Sequence, residues 1–174
     1  MKIWPAVAVA TVALGLVACQ STTPPKGVTP VTGFDASRYL GKWYEVARLD
    51  NRFEKGLDHV TATYQQRSDG GIRVINRGFN PRTGKWSQSE GKAFFTGDPS
   101  TAALKVSFFG PFYASYNVIS MHGDYQYALV CGPDRKYLWV LSRTPQMPQL
   151  VKEIFISQAQ QLGFRTDQLV WVKQ

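Results

Sequence analysis

The chain has 174 residues, enough for one domain once the N-terminal end is set aside for processing. Hydrophobic residues make up 44% and charged residues 18%, which excludes a disordered chain, and aromatics reach 13%, which suits a β-rich core or an apolar cavity. The formal net charge of +8 falls to +7 if residues 1–18 are removed, because they contain a single cation, Lys2. Nucleic acid, an anionic membrane surface or simple solubility would each accommodate that excess. Arg48, Arg52, Arg67, Arg73, Arg77, Arg82 and Lys85 alternate with apolar or turn residues, with no basic run of five, so they read as solvated strand faces and not as a nucleic-acid footprint.

Lys2 and the apolar stretch Ile3 to Val17 have the form of a charged start followed by a segment too short to span a bilayer comfortably. Leu16-Val17-Ala18-Cys19 resembles the lipobox of bacterial lipoproteins. The resemblance implies a signal peptide over 1–18, cleavage between Ala18 and Cys19, and N-acyl and S-diacylglycerol modification of Cys19. Gln20 after the cysteine, by the same resemblance, favours the outer membrane, on its periplasmic side. A secretory signal that happens to contain a cysteine and a true anchor helix are the alternatives. Ser21 to Pro30 is polar and Pro-rich, so residues 19–33 read as a lipidated cysteine followed by a semi-rigid spacer.

From Gly41 onward, short strand-like runs alternate with turn signals. The first two runs are Trp43 to Leu49 and Val60 to Arg67; Asp69-Gly70-Gly71 then turns into Ile72 to Phe79. Asn80-Pro81-Arg82-Thr83-Gly84 leads into Lys85 to Thr96, and Gly97-Asp98-Pro99-Ser100 into Ala103 to Phe109. Tyr113 to Met121, Tyr125 to Cys131 and Tyr137 to Ser142 complete eight strands. Their hairpin-length connections predict an all-β, antiparallel up-and-down sheet, and closure into an eight-stranded barrel removes its two edges. Strands such as Tyr137-Leu138-Trp139-Val140-Leu141, apolar on both parities, need an interior and a cover. Pro148 to Leu162, with Val151, Ile154, Phe155, Ala159 and Leu162 near helical spacing, supplies the cover as a helix packed outside, started at Pro148 and capped by Gly163. Leu169 to Val172 is a final short strand.

If Cys19 is acylated, Cys131 is left as the other cysteine of the chain, so no intrachain disulfide forms. Its apolar surroundings favour a buried inert thiol over a nucleophile. His59 and His122 lie 63 residues apart with no carboxylate or cysteine at ligand or triad spacing, so neither a metal, a cofactor nor a catalytic residue is expected.

Tyr39-Leu40-Gly41-Lys42-Trp43-Tyr44-Glu45, then Gly123-Asp124-Tyr125, then Leu141-Ser142-Arg143-Thr144-Pro145 resemble, in order, the three signatures of the lipocalins. The resemblance covers residues 34–174 and is nearest the bacterial branch, relatives of apolipoprotein D and of plant temperature-induced lipocalins. It implies that Trp43 plugs the closed end with Arg143 across its ring, that Gly41 lets the chain enter the floor without a Cβ, and that the barrel takes a hydrophobic ligand such as a fatty acid or lysophospholipid. Trp139 shares parity with Arg143, so it should face the cavity, with Tyr137 nearer the mouth; ordinary core packing is the other reading of both. A homodimer is also implied, with Gly110-Pro111-Phe112-Tyr113 as either interface or cavity rim. An envelope scaffold and a lipid-modifying enzyme are the competing functions.

Overall fold

A computed structural model describes residues 21–174; the signal segment, Ala18 and Cys19 lie outside the described residues. The described residues form a short helix α1 (Ala36–Tyr39), eight strands β1 (Gly41–Leu49), β2 (Asp58–Gln66), β3 (Ile72–Asn80), β4 (Lys85–Phe95), β5 (Ala103–Phe109), β6 (Phe112–His122), β7 (Tyr127–Cys131) and β8 (Leu138–Ser142), then helix α2 (Gln149–Gln161) and strand β9 (Leu169–Trp171). Each of β1 to β8 pairs antiparallel with its sequence neighbours, β1 closes the circle by pairing with both β2 and β8, and β9 adds to β1 at Ala47–Leu49. The expected eight-stranded barrel with an outer helix is what forms, because alternating strands joined by tight turns satisfy every edge only on closure.

The strand limits move by one or two residues from the sequence reading. The starts of β1, β2 and β7 each move by two, β7 being expected from Tyr125 and observed from Tyr127. Asp124 and Tyr125 have φ of 56° and 65°, left-handed values that belong to the turn and not to a strand. Pro148 stands just before the first turn of α2 as its cap residue. Gly163, at φ +87°, ends that helix: its N–H donates to the Gln160 carbonyl and the Phe164 N–H to that of Ala159, the paired bonds of a Schellman turn.

Two apolar layers result. Val151, Phe155 and Ala159 of α2 pack on the outer face of the barrel against Val46, Ala47, Leu129, Leu138 and Val140. Trp43, Tyr64, Val74, Ala93, Leu104, Val118, Val130 and Leu141 fill the inside. Chain direction defines the two ends. The floor carries α1 and the β2–β3, β4–β5 and β6–β7 turns, while the mouth carries the β1–β2, β3–β4, β5–β6 and β7–β8 loops.

Residues 21–33, expected as a spacer, lie along the wall instead. The Ser115 N–H donates to the Ser21 carbonyl (2.9 Å), the Val31 N–H to Val118 (2.9 Å) and the Ala102 N–H to Val31 (2.9 Å). Pro25 and Val28 are buried, Val28 within the outer apolar layer. At Ser21 the segment fits because β7 stops at Cys131, which leaves the mouth end of β6 without that neighbour, while Val31 sits between Ala102, just before β5, and Val118 of β6.

Candidate functional site

The floor is built on Trp43. Its ring is fully buried and its Nε1–H donates to the Tyr39 carbonyl at 2.8 Å, so α1 is tied to the first strand. The Arg143 guanidinium lies 3.8 Å from the centre of the Trp43 ring and donates to three backbone carbonyls: Tyr125 (3.2 Å), Lys42 (3.1 Å) and Arg38 (2.8 Å). One planar fork thereby joins β1, α1 and the β6–β7 turn, which a lysine's point charge does not do. Gly41, with φ +99°, passes beneath; a Cβ there would stand 3.4 Å from Arg143 Nη1.

Above the floor lies a narrow apolar void ringed by Tyr39, Tyr64, Ile72, Val74, Ala93, Leu104, Val106 and Tyr116 and bounded by Phe34. Its free volume is about 10 Å³, room for about one water. Three phenols meet at its edge, the half-buried Tyr116 Oη bonded to the buried Tyr39 Oη (2.5 Å) and Tyr64 Oη (2.7 Å). Burial raises the pKa of all three, that of Tyr64 to about 12, so they stay neutral donors and acceptors.

The mouth half is different chemistry. Arg48, expected on a solvated face, is 1% exposed, and the cause is a β-bulge between Glu45 and Ala47. Before the bulge Glu45 opposes Leu141; after it Ala47 opposes Val140 and Arg48 opposes Trp139, so the parity slips and Glu45 and Arg48 both point inward. Arg48 donates to Glu45 Oε1 (3.1 Å), to Asp50 Oδ1 (3.1 Å) and to the carbonyls of Glu54 (2.8 Å) and Leu57 (3.2 Å). The β1–β2 loop is thus strapped over the barrel by a buried guanidinium. Burial, and then the neighbouring Glu54 carboxylate, hold the Glu45 carboxyl well above its ordinary pKa. Burial opposes the charge of Arg48, but Glu45 and Asp50 outweigh it and keep the guanidinium protonated.

Trp139 faces this polar layer: its Nε1–H donates to Glu54 Oε2 at 2.9 Å, and Asn51 donates to the same oxygen. The Tyr137 ring stacks on it at 6.1 Å. Both therefore stand on the mouth side of the apolar void and do not line it. Cys131 is fully buried in the outer layer, where burial pushes its thiol up to about 12. His59 sits at the mouth end of β2 and His122 at the floor end of β6, at opposite ends of the barrel.

The lipocalin-like domain family matches residues 34–174, the whole barrel, helix and final strand. The chain is a lipocalin. It is similar to the outer membrane lipoprotein Blc of Citrobacter freundii, at 62% identity over 174 residues, covering 100% of this chain and 98% of the relative. The temperature-induced lipocalin-1 of Arabidopsis thaliana is 36% identical over 158 residues, covering 84% of this lipocalin and 83% of the plant protein. Among solved structures, insecticyanin from the tobacco hornworm Manduca sexta superposes with a TM-score of 0.69 over 87% of this lipocalin and 88% of that chain, at 22% identity, a likeness of fold. Sequence reasoning reached the floor residues of this lipocalin through its motifs. It gave no site role to Glu45 and Arg48, because a bulge leaves no mark in an alternating pattern, nor to Glu54, which reaches the layer from the β1–β2 loop.

Proposed function

We propose that this lipocalin binds a single-chain lipid, a fatty acid or lysophospholipid, and stores or transfers it at the outer membrane, to which an acylated Cys19 tethers it. The observation that carries the reading is the division of the interior into an apolar, aromatic chamber below and an ionic layer above. An acyl chain placed in the chamber loses water-exposed apolar surface, worth on the order of 10 kcal/mol before the cost of ordering it. A headgroup at the level of Glu45, Arg48, Glu54 and Trp139 keeps polar partners there. The void is narrow, so uptake displaces side chains such as Val106 and Leu104 and widens the chamber. Two-chain lipids would demand more displacement, which favours single-chain ones.

Binding, not turnover, is the reading: the thiol of Cys131 is protonated and packed outside the cavity, and the two histidines are at opposite ends. The lipoprotein name of the 62% identical relative supports the tether and its location. Lipid mass spectrometry on the purified mature protein tests both parts. Stoichiometric single-chain lipid and a triacylated Cys19 are expected; protein that never carries or takes up an acyl lipid overturns the ligand reading, and an unmodified Cys19 overturns the tether.

A further inference from the structure

We propose that the mouth of the barrel is a membrane-docking surface, held face-on to a phospholipid bilayer carrying anionic headgroups. The proposal rests on the acylation of Cys19 proposed above and adds an orientation that acylation alone does not specify.

Chain reach is the first observation. Ser21 is fixed by its carbonyl to the Ser115 N–H, at the mouth end of β6. Cys19 is two positions earlier in the chain, a reach of at most about 7 Å. Along β6, Ser115 is three residues from Phe112 at the mouth turn and eight from Gly123 at the floor turn, about 10 Å and about 26 Å at the usual strand rise. An acyl chain leaving Cys19 therefore enters a membrane level with the mouth. Resting on its floor, the barrel would have to sink most of its length into lipid before Cys19 reached the surface.

The surface chemistry agrees independently. All four exposed phenylalanines among the described residues lie on the mouth: Phe53 at the tip of the β1–β2 loop, and Phe108, Phe109 and Phe112 around the β5–β6 turn, with Phe109 80% exposed. Phe109 and Phe112 oppose each other across that turn, directly above Ser115. Flanking them are exposed cations: Arg52 and Lys55, Arg82 and Lys85 around the β3–β4 turn, and Lys136. The exposed carboxylates of the mouth loops are Asp50 and Asp134. The floor reverses this balance, with exposed Asp35, Asp69, Asp98 and Asp124 against Arg38 and Lys42, and its turns expose no large apolar side chain. Aromatic side chains inserted at headgroup level with cations around them match an anionic lipid interface. Docked this way, the mouth faces the leaflet that holds the proposed ligand.

The test uses the mature acylated protein in phosphatidylethanolamine–phosphatidylglycerol vesicles. Phe109→Cys on the mouth and Ser68→Cys on the floor turn each receive an environment-sensitive fluorophore; Cys131 is buried and stays unlabelled. The proposal predicts a blue shift and quenching by lipid-borne quenchers at position 109, with position 68 quenched by aqueous iodide alone. Aqueous behaviour at position 109, or lipid contact at position 68, overturns it. Shielding of position 109 that depends on protein concentration without vesicles overturns it in favour of a second copy of the chain. The mass of the same sample keeps the premise separate: unmodified Cys19 removes the tether reading, whereas triacylated protein with a water-exposed mouth refutes the docking alone.

Discussion

Replacing Trp43 with alanine removes the largest fully buried side chain in the floor. Three losses combine. A buried Trp→Ala change leaves a cavity that costs about 3–5 kcal/mol. Within that range falls the bond from Nε1 to the Tyr39 carbonyl, which fastens α1 to β1, worth about 1 kcal/mol. The third is the aromatic face beneath Arg143, worth about 1 kcal/mol where it is shielded from water. Taking about 4 kcal/mol for the sum, a chain of this size melts about 10 °C lower. Urea and thermal unfolding of wild type, Trp43→Ala, Arg143→Ala and the double variant measure it. A coupling of about 1 kcal/mol between the two positions is expected from the stacked geometry. An unchanged melting temperature refutes the floor role, as does intact stability with selective loss of one ligand, since that would make Trp43 a ligand contact.

Further expectations follow from the interior and the wall. Glu45→Gln isolates the buried carboxyl: because its folded pKa is raised, the stability Glu45 provides is complete below its ordinary value of 4.5 and is lost as pH rises through the folded value. Urea midpoints of wild type and Glu45→Gln should therefore diverge with rising pH, the variant gaining; a constant difference contradicts the placement. Gly91→Ala sets a Cβ 2.6 Å from the Ser107 carbonyl oxygen and 2.8 Å from the Phe108 ring, and the backbone partner cannot swing away. Chemical denaturation should show a loss of about 1–3 kcal/mol, and an equal midpoint would show that β4 and β5 separate freely. Cys131, with its thiol pushed up to about 12, should ignore an aromatic disulfide reagent at neutral pH in the folded protein and react fully in guanidinium; rapid labelling of the native state would place it on the surface.

Most of the barrel was legible because its turns are written in Gly, Pro, Asp and Asn and its strands in alternation. The Ala103–Phe109 strand falls where its flanking turn residues put it. Helix α1 was not legible: four residues hold no period, and the cap at Asp35 is a local signal that many loops share. The Pro-rich segment reads as a spacer because its packing depends in part on the early end of β7, a tertiary fact. The ionic layer was hidden by the Glu45/Ala47 bulge, which carries Arg48 from the expected solvated face to the interior. The parity of Trp139 was readable and its ring does face inward. Its partner Glu54, in a loop 85 residues away, was not.

The central claim, that the apolar chamber holds an acyl chain beneath the ionic layer, is tested most directly by titrating wild type and Leu104→Trp with a long-chain fatty acid and with a lysophospholipid. Leu104 lines the void, and an indole there fills it. Uptake followed by isothermal calorimetry should be saturable in wild type and abolished in Leu104→Trp, while Trp139→Phe, which removes the donor to Glu54, should alter the preference between the two lipids and leave capacity intact. Equal binding by the filled variant would contradict the account, because the ligand would then lie somewhere other than the chamber.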